Sequence, residues 1–185
     1  MTFWRDSKLQ PKRAYKFLLS VAGANNVIRE FLIERVKKPN WNISTSEHKF
    51  LNHTFYYPGK TTWTPVDFTI VDVVDPLANG SQVVMQMLEE SGYKVPQDEN
   101  TLETVSKQKS VGALGTVTIH TLDSDENIIE DWVLVNAWIQ TVDFGEFDYK
   151  SEEMVKVNVT LAYDFAYLNV FNGAGKLPSN ATGAN

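Results

Sequence analysis

The chain has no cysteine, which excludes disulfides, thiolate nucleophiles and cysteine metal sites and leaves the fold to stand on packing alone. Histidine is scarce: His48, His53 and His120 share no metal-ligand spacing, and along one strand the step from 48 to 53 would turn the two rings to opposite faces. No run approaches the ~18 apolar residues of a membrane span, and the opening MTFWRDSKLQPKR has no apolar stretch of signal-peptide length. A chain that is not exported and makes no membrane contact is expected. The sequons at Asn42, Asn52, Asn79, Asn158 and Asn180 are accordingly expected to carry no glycan. Positive charge is also short, with 17 Lys and Arg against 23 Asp and Glu, and a net charge of −6 is the wrong sign for gripping nucleic acid. Gly-x-Ser-x-Gly, Walker and dinucleotide patterns are missing, and Gly112 and Gly115 do not lead from a strand into a helix. The pairs Asp123 with Asp125 and Glu152 with Glu153 fall in turns with few apolar neighbours, as solvated charges do. No enzymatic activity, no metal and no cofactor are expected.

What the chain does have is alternation, and 43% hydrophobic content over 185 residues suffices for one core. From Met154 to Phe165, Val155, Val157, Val159, Leu161, Tyr163 and Phe165 alternate with polar or small residues. Read as a single strand at ~3.3 Å per residue, this stretch spans roughly 36 Å, more than a small domain needs for itself. Something outside the monomer is expected to share it. Tyr15, Phe17, Leu19 and Val21 form a first strand ending at the turn Gly23 to Asn26, and a second runs from about Arg29 to Lys37. Pro39 and Asn40 break the chain before an extended, aromatic stretch from Trp41 to Lys60 that is punctuated like a loop. Val66, Phe68 and Ile70 alternate and then slip phase through Val71, Asp72 and Val73, which predicts a bulge.

One helix is expected, capped by Asp75 or Ser81, with Val83, Val84, Met87 and Leu88 on one face and Gly92 at its end. Tyr93 to Lys109 reads as a long surface loop. Gly115 opens a hairpin that goes out through Val117 and Ile119, turns at Asp123 to Asn127 and returns along Ile128 to Ile139. The Gly-, Ala-, Asn- and Ser-rich end, 169–185, reads as a flexible tail on a single domain, 1–168.

The order of these pieces resembles the tail tube proteins of contractile-tailed, T-even-like bacteriophages. The residues that carry the resemblance are the opening strand Tyr15 to Val21, Lys37-Lys38-Pro39, the extended segment to Pro58-Gly59-Lys60, and Trp63-Thr64-Pro65-Val66-Asp67-Phe68-Thr69-Ile70-Val71-Asp72 before the helix. Trp132 to Gly145 and the closing Leu161-Ala162-Tyr163-Asp164 continue it, so that it covers roughly residues 13 to 165. The polar stretch Pro96 to Lys109 and the segment after Asp164 depart from the pattern.

The resemblance implies a mainly β fold of two packed antiparallel sheets, a sandwich or barrel with one short flanking α-helix, assembling into hexameric rings. It implies a virion structural protein whose rings stack into a rigid tube inside a sheath, nucleated by a baseplate tube-initiator, measured by a tape-measure protein and traversed by double-stranded DNA during genome ejection. Tube-initiators, type VI secretion rings and bacteriocin tubes share such folds. A carbohydrate-binding β-sandwich using Tyr56, Tyr57 and Trp63 is an alternative from another class. Phe50, Leu51, Phe55, Tyr56, Tyr57 and Trp63 are expected at an inter-subunit contact, since Asn52, Pro58 and Gly59 deny this stretch a place in a monomer core. Lys156, Asn158, Thr160 and Asp164, with Asp67 and Asp148, are expected to line a lumen whose carboxylates keep DNA from sticking.

Overall fold

The computed structural model describes residues 10–23, 27–28, 30–75, 79–94 and 103–171. The strands in chain order are β1 (Phe17–Ala22), β2 (Val27–Ile28), β3 (Ile33–Val36), β4 (Asn40–Phe50), β5 (His53–Thr64) and β6 (Val66–Val71). Helices α1 (Gly80–Glu90) and α2 (Lys107–Leu114) follow, then β7 (Thr116–Leu122), β8 (Ile128–Val135), β9 (Trp138–Asp143), β10 (Lys156–Ala162) and β11 (Phe165–Val170).

Alternating side chains give each strand one apolar face, and two sheets bury those faces against each other. One sheet has the order β11-β8-β7-β1-β2, the other β3-β6-β10-β9, and all their pairings are antiparallel. Leu19, Val21, Val117 and Ile119 from the first sheet meet Val66, Phe68, Ile70, Val157, Val159 and Leu161 from the second, none more than 1% exposed. Each such side chain is worth about 1.5–3 kcal/mol of burial. The expected two-sheet architecture is present.

Helix α1 lays Val84 and Met87 on this core. Its cap is Asn79, whose side chain accepts from the Gln82 N–H at 2.8 Å, in place of the expected Asp75 or Ser81. Asp72 assists: its carboxylate accepts from the Gly80 N–H at 2.9 Å and from the Ser81 hydroxyl at 2.7 Å. The phase slip at Val71 to Val73 is therefore the end of β6, where Asp72 leaves the sheet to hold the helix. The register irregularity lies across from it in β3, between Ile33 and Arg35. Gly92 does close α1, at φ 105°, where a Cβ would meet the Thr104 carbonyl at 2.7 Å.

Four other expectations are corrected. The stretch taken as a loop to Lys109 ends in a second helix: Ser106 caps α2 by accepting from the Lys109 N–H, and Ala113 and Leu114 are buried. Gly112 and Val111 dilute its helical pattern, so tertiary burial rather than propensity makes it a helix. The second strand is a single 3-10 turn, Glu30–Leu32, followed by the four residues of β3.

The return strand also breaks, at Asn136 (φ 54°), with β8 in one sheet and β9 in the other. The long closing strand breaks at the same level. β10 ends at Ala162 and β11 starts at Phe165 in the other sheet, so no overlong strand exists there to be shared. Asp164 pins this double crossover, accepting from Asn136 Nδ2 and Lys107 Nζ, each at 2.7 Å. β11 itself runs to Val170. Residues 24–26 of the first turn and 172–185 of the expected tail lie outside the described residues.

Candidate assembly interface

The long element is β4 with β5. The extended stretch that resembled a loop is a hairpin of 11 and 12 residues that pairs only with itself among the described residues. At ~3.3 Å per residue it is about 35 Å long. Every residue of β4 is exposed, and so is β5 apart from Thr54, Trp63 and Thr64. Pro58 and Gly59, which looked like loop punctuation, sit at an irregularity between the pairs Ile43 with Thr61 and Thr45 with Pro58, where the Ser44 hydroxyl accepts from the Lys60 N–H at 2.9 Å. The bulge absorbs the residues that do not fit a ladder.

The hairpin is fixed at its root. Trp63 pairs with Trp41 and stacks at a tilt on Tyr163, centroids 6.0 Å apart, and the Tyr163 hydroxyl donates to the Thr64 carbonyl at 2.8 Å. Burial there pushes the Tyr163 phenol upward. Trp63 thus belongs to the anchor, half-buried against the core, and stands apart from the other expected contact residues. Phe50, Leu51, Phe55, Tyr56 and Tyr57 cluster towards the tip with their side chains in solvent. Leu51 is 89% exposed and holds φ 51° in the two-residue turn, a left-handed conformation that costs a non-glycine residue about 1–2 kcal/mol. His48 pairs with Phe55 and His53 with Phe50, so the turn brings both imidazoles onto one face instead of the opposite faces expected of a continuous strand. His53 packs edge-on against Phe55 at 5.4 Å. Among the described residues there is no group of three or more metal-ligating side chains. Trp41 and Ile43 are also exposed on the hairpin, beyond the expected contact residues that begin at Phe50.

The expected lumen residues fall in three places. Lys156, Asn158 and Thr160 do share the outward face of β10, and cross-strand bonds run from the Thr160 hydroxyl to Asp67 (3.0 Å) and from the Thr69 hydroxyl to Asn158 (2.9 Å). Asp143 pairs with Asn158 on the same face. Lys156 is tied to Glu34 (2.9 Å) and Lys37 to Asp67 (3.8 Å), so these two lysines are each matched by a carboxylate. Asp148 lies in the β9–β10 loop, where it accepts from the Lys150 N–H at 3.0 Å. Asp164 lies off this face at the crossover, its carboxyl held low by the Lys107 hydrogen bond and then by Asn136.

One buried charge ties the hairpin root to the body. Glu130 on β8 is 5% exposed and accepts from Lys38 at 2.7 Å, from the Thr121 hydroxyl at 3.0 Å and from Lys12. Burial alone would push this carboxyl up, and the hydrogen bonds together outweigh it and hold it at about 2.

No protein-family profile and no curated protein matches the chain. Solved structures do match. A chain in the six-fold symmetrised cryo-EM structure of the anti-feeding prophage baseplate is 14% identical with a TM-score of 0.62, over 86% of this chain and 96% of that one. A chain of the anti-feeding prophage tube-terminating cap is 18% identical at 0.62, over 88% and 93%. One from the sheath-tube complex of PVC, an extracellular contractile injection system, in its extended state is 18% identical at 0.61, over 87% and 93%. At these identities the likeness is one of fold: the chain has the fold of chains found in contractile injection assemblies.

Proposed function

We propose that this protein is the tube subunit of a contractile tail, self-assembling as hexameric rings that stack into a hollow conduit. The observation that carries the reading is the β4–β5 hairpin. A two-stranded ribbon standing alone in water is marginal at best, and this one adds exposed aromatics and a strained leucine at its tip. In this reading its stabilising partner lies outside the monomer, and the hairpin takes the shared role expected of the closing strand.

Sheet parity supports ring closure. Among the described residues, β3 and β9 are the unpaired outer strands of the four-stranded sheet. Because its strands alternate in direction and are even in number, β9 of one copy joined to β3 of the next continues antiparallel pairing around a ring. The five-stranded sheet would need a parallel joint at each boundary. Six copies of four strands make 24, and at ~4.8 Å spacing the barrel wall is about 115 Å around, wide enough for a nucleic-acid duplex. Its polar outward face, with Asp67, Asn158, Thr160 and Lys156, then lines the lumen.

In this reading the partners are a sheath outside, a tape-measure protein within, a baseplate tube-initiator at one end and double-stranded DNA in transit. The setting is a phage virion of the T-even type, assembled in the host cytoplasm, and the role is structural rather than enzymatic. The likeness to baseplate and cap chains favours one second reading, a tube-initiator or terminator, which forms a ring but does not polymerise. Negative-stain microscopy of the purified protein separates the cases. Six-fold rings that lengthen into tubes support the proposal, rings that never stack support the second reading, and a persistent monomer with affinity for glycans overturns both.

A further inference from the structure

The register of the four-stranded sheet sets two exposed apolar features at opposite ends of the subunit. β3 runs into the hairpin beyond Val36, which pairs with Phe68, and the hairpin returns into β6 at Val66, which pairs with Leu161. The hairpin therefore leaves the sheet at the Val66 and Leu161 end. The opposite end is marked by Val71 pairing with Lys156, and there the chain passes from Asp143 to Lys156 through the loop 144–155. This loop builds its own turns, with Gly145 N–H donating to Asp143 (3.0 Å) and Ser151 N–H to the Asp148 carbonyl (3.1 Å). It holds Phe147 at 91% exposure and Tyr149 fully exposed, with Met154 beside them. With Lys156 and Asn158 these residues line an open groove of about 730 Å³, large enough to take more than one aromatic side chain.

The charges of the two ends are complementary. The loop carries Glu146, Asp148, Glu152 and Glu153 against Lys150, whereas the hairpin carries Lys49 and Lys60 against Glu47. If β3 and β9 close a ring laterally, strand ends point to the ring's two flat faces, tilted by roughly 35–45°. The hairpin then leaves one face and the loop stands on the other.

We infer that loop 144–155 is the seat for the hairpin tip of a second copy of this chain in the next ring. This rests on the tube reading and names its axial contact: aromatic rings of the tip pack on Phe147 and Tyr149, and the lysines of the hairpin face the acidic loop. The contact is heterologous, so its repetition builds a filament rather than a closed pair. Salt should weaken it, because its charges are solvent-exposed.

The test begins with the wild-type protein, since failure to form rings at all would remove the tube reading before the seat is examined. Given wild-type rings and tubes, Phe147→Ser with Tyr149→Ser should leave the melting curve and the six-fold rings unchanged and abolish tubes, read by sedimentation and negative stain. Lys49→Glu with Lys60→Glu should also stop at rings, and adding Glu152→Lys with Glu153→Lys should restore tubes. Normal stacking by the aromatic double variant overturns the inference. Loss of its rings does the same by making the loop a lateral contact, and a charge swap that stays at rings gives the hairpin a different seat.

Discussion

Replacing Glu130 by Gln removes the charge from a point that ties both the N-terminal segment, through Lys12, and the hairpin root, through Lys38, to the five-stranded sheet. The carboxyl is held at about 2 against an ordinary 4.5, and every tenfold gain in acidity is worth about 1.4 kcal/mol, which bounds the contribution at about 3.5 kcal/mol. Lys12 and Lys38 are half-exposed and turn to water when the charge is lost, so the expected cost is about 2–3 kcal/mol, below that of stranding a buried cation. For a chain of this size that lowers the melting temperature by roughly 5–10 °C. The sign with pH follows from a depressed carboxyl. The stabilisation is full above the unfolded-state value near 4.5 and is lost as pH falls through about 2. Thermal denaturation followed by circular dichroism, at concentrations where the protein is monomeric, should show a constant gap between wild type and variant from pH 7 to about pH 5, narrowing towards pH 2. Equal melting at pH 7, or a gap that persists unchanged at the acid end, would refute the assignment of Glu130 as a charged tie.

Tyr56→Ser with Tyr57→Ser should give a folded, soluble protein that forms rings but no longer stacks into tubes, because both side chains lie outside the core; normal tubes by microscopy would count against the hairpin as the contact. Leu51→Gly should relieve about 1–2 kcal/mol of turn strain and slow hydrogen exchange along β4 and β5, yet weaken assembly, which separates the residue's contact from its conformation. Asp72→Ala should destabilise the fold by about 1–2 kcal/mol in urea titration, by uncapping α1 at Gly80 and Ser81. Asp67→Lys with Asp143→Lys should leave tubes intact but slow genome ejection in a way that added salt relieves, and unchanged ejection kinetics would remove these side chains from the lumen.

Period-two alternation alone identified the core strands, because a sheet face buried in a small domain leaves its record in every second residue. Val66, Phe68 and Ile70, and Val157, Val159 and Leu161, are where it put them. The same signal cannot tell which sheet a strand belongs to. The apolar alternation runs on through Tyr163 to Phe165, although the chain changes sheets there and the buried face shifts phase, with Phe165 exposed and Ala166 buried, so the pattern did not mark the corner. The hairpin failed the opposite way: with no face buried in the monomer, β4 and β5 show no clean alternation, and Pro58 and Gly59 looked like a loop until the register showed them absorbed in a bulge. Helix α2 was illegible because its stability comes from burying Ala113 and Leu114, not from propensity. The aromatic residues of the proposed assembly contact were visible as a composition, Phe50 to Tyr57. Their position at one end of the sheet, with Phe147 and Tyr149 at the other, was decided only by tertiary structure, because strand register across residues far apart in the chain determines which end each loop occupies.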